Sequence, residues 1–195
     1  MKNATKKAMS DSLKTLLARK PLNRITINDI VQNCGISRMT FYYHFEDIYD
    51  LLKWTYLEDA RAAIGENTTL ETWQKGLESL LNLVLENKAN ILNVYHSASR
   101  EQIELFLLQA AENLLMPVVE SQAEGMKISP EGKRYVATFY AYAMMGATLE
   151  WVNKGMKKSP REVVAITAAI IQGDFKNALA NISRLERRSA EEGAT

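Results

Sequence analysis

Arg38, Met39, Thr40, Tyr42, Tyr43 and His44 bring a guanidinium, a hydroxyl, two phenols, an imidazole and a thioether into seven residues, with no carboxylate before Glu46. Such a set donates hydrogen bonds and attracts anions, so its chemistry is recognition rather than bond cleavage. At roughly 100° per residue, Phe41 and Phe45 fall on one side of a helix, and Met39 and Tyr43 on the other. Thr40 and His44 take one flank, Tyr42 the second, and Arg38 the N-terminal tip. A solvated face normally carries Glu and Lys; this one suits the polyanionic wall and base edges of a DNA major groove. Arg38 fits a guanine edge or a phosphate, Met39 a thymine methyl, and Thr40, Tyr42, Tyr43 and His44 the backbone. Tyr42 is alternatively a residue that completes a small core.

The elements that must position this face are legible around it. Thr26 is a suitable N-cap, with Asp29 three residues on as a capping-box acid. Ile27, Ile30, Val31 and Cys34 then recur at helical spacing and give a first helix one buried face. Gly35 stands where a left-handed residue ends that helix, and Ser37 caps the next. Thr26 and Ser37 are caps first and phosphate contacts second. The pattern is helix, tight turn, recognition helix.

At these residues, TINDI at Thr26–Ile30, CGISRMTFYYHF at Cys34–Phe45 and DLL at Asp50–Leu52, the sequence resembles the TetR/AcrR family of transcriptional regulators. The match covers about the first quarter of the chain. It implies an all-α homodimer of about nine helices, with an N-terminal helix-turn-helix domain (residues 1–46) that binds double-stranded operator DNA. A C-terminal regulatory and dimerisation domain (residues 47–195) would sense an unknown small-molecule effector. The family pattern often has a Lys three residues after the Phe that ends the recognition helix; here that place is Ile48. The run Phe139–Pro160, FYAYAMMGATLEWVNKGMKKSP, looks like a narrower branch described as dihydroxyacetone-kinase regulators, which suggests a small metabolic operon as target.

Composition agrees with a local rather than a global affinity for nucleic acid. The formal net charge of the 195 residues is only +1. Residues 1–53 hold nine Lys and Arg against five Asp and Glu, so the basic excess sits with the helix-turn-helix. One cysteine permits no intrachain disulfide and fits a reducing compartment. Met1–Arg19 lacks the apolar block of a signal peptide. The longest uncharged run, Tyr135–Leu149, is too short to span a bilayer. The expectation is a cytoplasmic protein with no membrane segment.

Along the chain, a first helix is expected over Thr5–Arg19, with Met9, Leu13, Leu16 and Leu17 on one face and Pro21 ending it. Lys2, Lys6 and Lys7 there either reach phosphates or form a solvated end. Asp47 caps a helix to about Ile64, and Gly65–Thr69 is a break. Trp73–Val84 is amphipathic, a second break is expected at Asn87–Asn90, and Ile91–Ser97 is a short helix. Arg100–Glu124 is long, with Pro117 expected to kink it. Glu131–Met156 and Pro160–Phe175 are apolar nearly all round, so each must be buried on two sides, one of them against a partner. A twofold four-helix interface, including Gly146, Trp151, Ile166 and Ile170, satisfies this. The resembling family uses the same two helices. Arg184–Thr195, charged and rich in small residues, is expected to fray, and no strand is expected.

Trp73, Tyr95, Phe106, Tyr140 and Met144 are candidates to line an effector pocket, with His96, Phe139, Tyr142 and Met145 beside them; at helical spacing the same residues serve equally as plain core. The uncharged Tyr135–Leu149 run disfavours a strongly ionic effector there. Cys34 reads as a core residue, two histidines form no metal site, and no catalytic constellation or cofactor motif stands out. The expected function is a dimeric transcriptional regulator, a repressor by the commoner family behaviour, and not an enzyme. The alternatives are a coregulator that acts through another regulatory protein with little DNA binding of its own, for which the absent Lys at Ile48 leaves room, and a small helical enzyme or storage protein.

Overall fold

A computed structural model describes residues 2–95, 100–171 and 173–192. These residues form ten α-helices and one short 3-10 turn (Leu22–Arg24), with no strand among them. The helices are α1 (Lys2–Leu17), α2 (Ile27–Cys34), α3 (Arg38–His44), α4 (Ile48–Ile64), α5 (Trp73–Glu86), α6 (Lys88–Tyr95), α7 (Arg100–Gln122), α8 (Pro130–Asn153), α9 (Pro160–Ile171) and α10 (Asp174–Glu192). Two compact units result. Residues up to Ala62 with Leu83–Phe106 make the first; Ala63–Asn82 with residues from Leu107 onward make the second.

In the first unit α1 packs on α2 and α6, and α2 on α3. Met9, Leu13 and Leu17 of α1, Ile30 and Val31 of α2, Phe41 and Phe45 around α3, and Leu51 and Leu52 of α4 form the apolar centre. Leu16, Ile27 and Cys34, expected on buried faces, are only half-buried; Ser12 occupies the interior instead. Its hydroxyl donates to the Ile30 carbonyl at 2.9 Å and accepts from Asn33 Nδ2 at 3.1 Å, so this buried hydroxyl between α1 and α2 is satisfied. Asn93 Nδ2 ties α6 to the end of α1 through the Leu17 carbonyl, and Lys14 pairs with Asp59 of α4 at 2.6 Å. α6 begins at Lys88 rather than Ile91. Asn87 alone makes the break, because its carbonyl already accepts from the Ile91 amide and its side chain bonds back to the Leu83 carbonyl.

In the second unit α8 packs on α9 and α10. Pro117 lies within α7, which runs on past it to Gln122. The C-terminal stretch corrects the expected frayed end: α10 continues to Glu192, and residues 193–195 lie outside the described residues. Phe175, Leu179 and Ser183 are its buried face. Glu186 accepts from both the amide and the hydroxyl of Ser129, the residue that caps α8. Gly132, one turn into α8, sits so close to α10 that a side chain there would meet Ile182 and Glu186. Gly173, at φ +84°, separates α9 from α10 where one helix to Phe175 was expected. By length and composition the stretch Pro160–Ser189 is apolar enough to cross a membrane. It is two helices, however, and the 12 residues of α9 reach only about 18 Å, short of a ~30 Å hydrocarbon core.

Candidate nucleic-acid interface

The local chemistry that sets α3 in place works as the sequence reads. Thr26 accepts from the Asp29 amide at 3.2 Å, and Asp29 Oδ2 accepts from the Thr26 amide at 2.8 Å, a closed capping box. Gly35 ends α2 at φ +68°, a left-handed position that costs L-residues with a Cβ about 1 kcal/mol or more. Ser37 Oγ then accepts from the Thr40 amide at 3.0 Å and starts α3. Phe41 and Phe45 point inward and are buried, their rings 6.0 Å apart.

The opposite side of α3 is open. Met39 is 83 % exposed, Tyr43 68 % and Tyr42 51 %. Arg38 is exposed at the tip, where Nη1 donates to Asn28 Oδ1 at 3.2 Å and Nη2 to the Tyr42 hydroxyl at 3.3 Å. Tyr42 therefore lies on the surface, linked to Arg38, and does not complete the core. Tyr43 meets His44 edge to face at 5.0 Å, with His44 half-buried. The Thr40 and Ser37 hydroxyls share a 2.9 Å hydrogen bond, and the Thr26 hydroxyl donates to Asp29 at 2.9 Å; these three are engaged in caps. The seven residues of α3 make a ridge about 10 Å long, and a helix about 10–12 Å across with its side chains fits a major groove about 12 Å wide. Asn28, which braces Arg38 from α2, is absent from the sequence-based expectation; its spacing to Arg38 crosses the turn and follows no helical period.

The Asp29 carboxylate is strongly perturbed. The Lys20 ammonium at 2.8 Å, then the Thr26 amide and hydroxyl, hold its pKa at about 2 against 3.8. A folded-state pKa below the unfolded one contributes stability that is complete above about pH 4 and lost as pH falls through about 2. Asp29→Asn is therefore expected to flatten the acid limb of thermal stability between those two values, read as melting temperature against pH for both proteins. Parallel curves would contradict the capping role. Cys34 is no activated nucleophile: burial raises its thiol pKa, and its Sγ donates to the Ile30 carbonyl at 3.1 Å.

The residues considered for an effector pocket do not converge in one unit. Tyr95 and Phe106 are buried in the first, where Phe106 stacks on Tyr56 at 5.3 Å. Trp73, Tyr140 and Met144 belong to the second. Trp73 lines a cavity of about 400 Å³ with Gln74, Gln122, Ile171 and Phe175; Met144 is buried, and Tyr140 is half-buried with its ring on Phe175 at 4.7 Å. His96 lies outside the described residues. No group of three or more His, Cys, Asp or Glu able to hold a metal occurs among the described residues.

On α8 and α9 the structure leaves large apolar side chains uncovered: Tyr135, Phe139 and Tyr142, with Gly146, on α8, and Ile166 with Ile170 on α9. Phe139 is 64 % and Ile170 70 % exposed. Space beside Gly146 is open. Trp151 is not among these uncovered side chains but buried, its indole N–H donating to the Lys158 carbonyl at 2.8 Å across the α8–α9 turn.

Comparison with known proteins adds an independent line. A family model described as bacterial regulatory proteins, tetR family, matches residues 11–53, and one described as transcriptional regulator C-terminal region matches residues 71–173. The HTH-type dhaKLM operon transcriptional activator DhaS of Lactococcus lactis subsp. lactis is 27 % identical over 172 residues, 86 % of this chain and 91 % of that protein. The solved structure of a dihydroxyacetone kinase operon activator, DhaS, is 26 % identical, covers 91 % of this chain and 96 % of its own, and superposes with a TM-score of 0.62. All four are descriptions of regulators, not enzymes.

Proposed function

The chain belongs to the TetR family of bacterial transcriptional regulators, and from that premise we propose that it binds double-stranded operator DNA as a homodimer in the cytoplasm. Residues 1–46 are then the DNA-binding domain and residues 47–195 the regulatory and dimerisation domain. The observation that carries this reading is the outer face of α3, exposed, rich in donors and free of carboxylates. Two such helices, about 34–36 Å apart, would enter successive major grooves. Arg38 reads a guanine edge or grips a phosphate, Met39 meets a thymine methyl, and Tyr42, Tyr43 and His44 fix the ridge. Thr26, Ser37 and Thr40 support phosphates at the caps they already form. The uncovered face of α8 and α9, with Gly146, Ile166 and Ile170, is the dimer interface, and Trp151 backs it.

Control follows from a shift between two spacings of the reading heads, biased by a small-molecule effector or partner that prefers one of them. α4, which leads out of the reading head, carries the displacement. Trp73, Tyr140 and Met144 are the pocket candidates in the second unit, Tyr95 and Phe106 in the first. The names of the related activators support a dihydroxyacetone kinase operon as target and activation as the sign. A reporter fused to the promoter of that operon tests both: deleting this regulator should lower its expression. A rise on deletion would establish repression instead, the sign that the family resemblance favours.

One observation favours a second reading, a coregulator with weak DNA affinity of its own. Ile48, at the start of α4, is a half-buried apolar residue where the resembling pattern often carries a cation.

A further inference from the structure

Three lysines of the segment before α2 differ in what their charge meets. Lys14 is paired with Asp59 at 2.6 Å and Lys20 with Asp29 at 2.8 Å. Lys6 has no carboxylate partner among the described residues. Its ammonium instead stands 5.0 Å from the ring centroid of Phe45 and 5.4 Å from that of Trp54, and those two rings are 5.8 Å apart. Phe45 is the residue that ends α3, and Trp54 lies in the second turn of α4. Two aromatic faces thus hold one cation at the C-terminal end of the recognition helix without neutralising it. Lys6 as a whole is half-buried, so its ammonium on the two rings is not sealed from solvent. Lys7, its neighbour, is exposed and shows no such clasp.

We infer that Lys6 is a phosphate-binding residue of the reading head, presented by the Phe45–Trp54 clasp beside the end of α3, and that it supplies from α1 the charge that the start of α4 lacks at Ile48. This rests on the operator reading. A pre-positioned cation loses less rotamer freedom on binding than a free surface lysine, and one phosphate contact releases about one counterion per site. The contact is to the backbone, so it adds affinity without sequence preference.

The test uses the full-length protein and the promoter fragment above, labelled for fluorescence anisotropy, across about 50 to 300 mM NaCl, with a random duplex of equal length as control. Lys6→Gln should lower the slope of log affinity against log salt by about 0.9 for each half-site phosphate that residue 6 no longer neutralises, and should weaken both duplexes by the same factor. Lys6→Arg, which keeps the charge, should keep the slope. Ile48→Lys added to Lys6→Gln should restore it. An unchanged slope in Lys6→Gln, or an equal loss in Lys6→Arg, would overturn the inference, the second because it marks a packing role. Absence of binding by the wild-type protein would overturn the operator reading and this inference with it; wild-type binding with an unchanged Lys6→Gln slope overturns this inference alone.

Discussion

Phe41→Ala is expected to unfold the reading head rather than merely weaken it. Phe41 is the fully buried ring of α3, edge to face with Tyr42 at 5.7 Å and tilted on Phe45 at 6.0 Å. Truncating a buried Phe costs about 3–5 kcal/mol, against a total of about 5–15 kcal/mol for an ordinary domain. α3 has seven residues, too few to persist as a helix without that anchor. The loss should appear as a large fall in melting temperature of the first unit, with Phe41→Leu, which keeps most of the volume, costing under about 1.5 kcal/mol. Similar melting curves for Phe41→Ala and the wild type would mean that α3 is held by something other than this ring.

Phe139→Glu combined with Ile170→Glu should give a folded monomer. Both side chains are more than half exposed in the single chain, so the substitutions remove little internal packing, and surface changes of this kind usually fall within about 0.5 kcal/mol. In a dimer built on this face, each would bury an unpaired carboxylate, at a cost of about 3–5 kcal/mol. Operator affinity should fall with the dimer, since joining two reading heads is worth about 10²–10⁴ in apparent affinity. Sedimentation equilibrium beside far-ultraviolet circular dichroism reads the oligomeric state and the fold together. A dimer that survives the double substitution would remove α8 and α9 from the interface.

What can be read from the chain alone is what is encoded over three or four residues. The Thr26–Asp29 box, the left-handed Gly35, the Ser37 cap and the inward pair Phe41 and Phe45 all stand as their spacing indicates, because each is a local geometric requirement. The features that escape such a reading are contacts between residues far apart in sequence. Glu186 holds Ser129, the cap of α8, from 57 residues away, and that docking is why the charged C-terminal stretch is a helix where its composition points to fraying. The sequence does hold a local cue there, Gly173 followed by Asp174, a helix stop and a helix start. Ser12 is buried because an acceptor and a donor of α2 meet it, which α1 alone does not reveal. In the same way Lys6 reads as one more solvated lysine until α3 and α4 bring Phe45 and Trp54 to it. On the ligand side, aromatic and Met residues at helical spacing do not distinguish pocket from core; of those considered, Trp73 lines a cavity and Met144 is buried.

Recognition of an operator by α3 is tested most directly by binding of the purified full-length protein to its promoter fragment, with and without Arg38→Ala/Tyr43→Ala. Neither residue is part of the apolar centre, and Tyr43 is 68 % exposed, so the variant should fold and dimerise as the wild type does. The expected result for the wild type is tight, steeply salt-dependent retention of the promoter fragment over a random duplex. In the variant about 1–3 kcal/mol of discrimination should disappear with the Arg38 base contact, while loss of the Tyr43 backbone contact should weaken binding to both duplexes alike. Weak retention that does not distinguish the two duplexes and does not change in the variant would contradict operator recognition, and would leave the outer face of α3 as a surface that DNA does not meet.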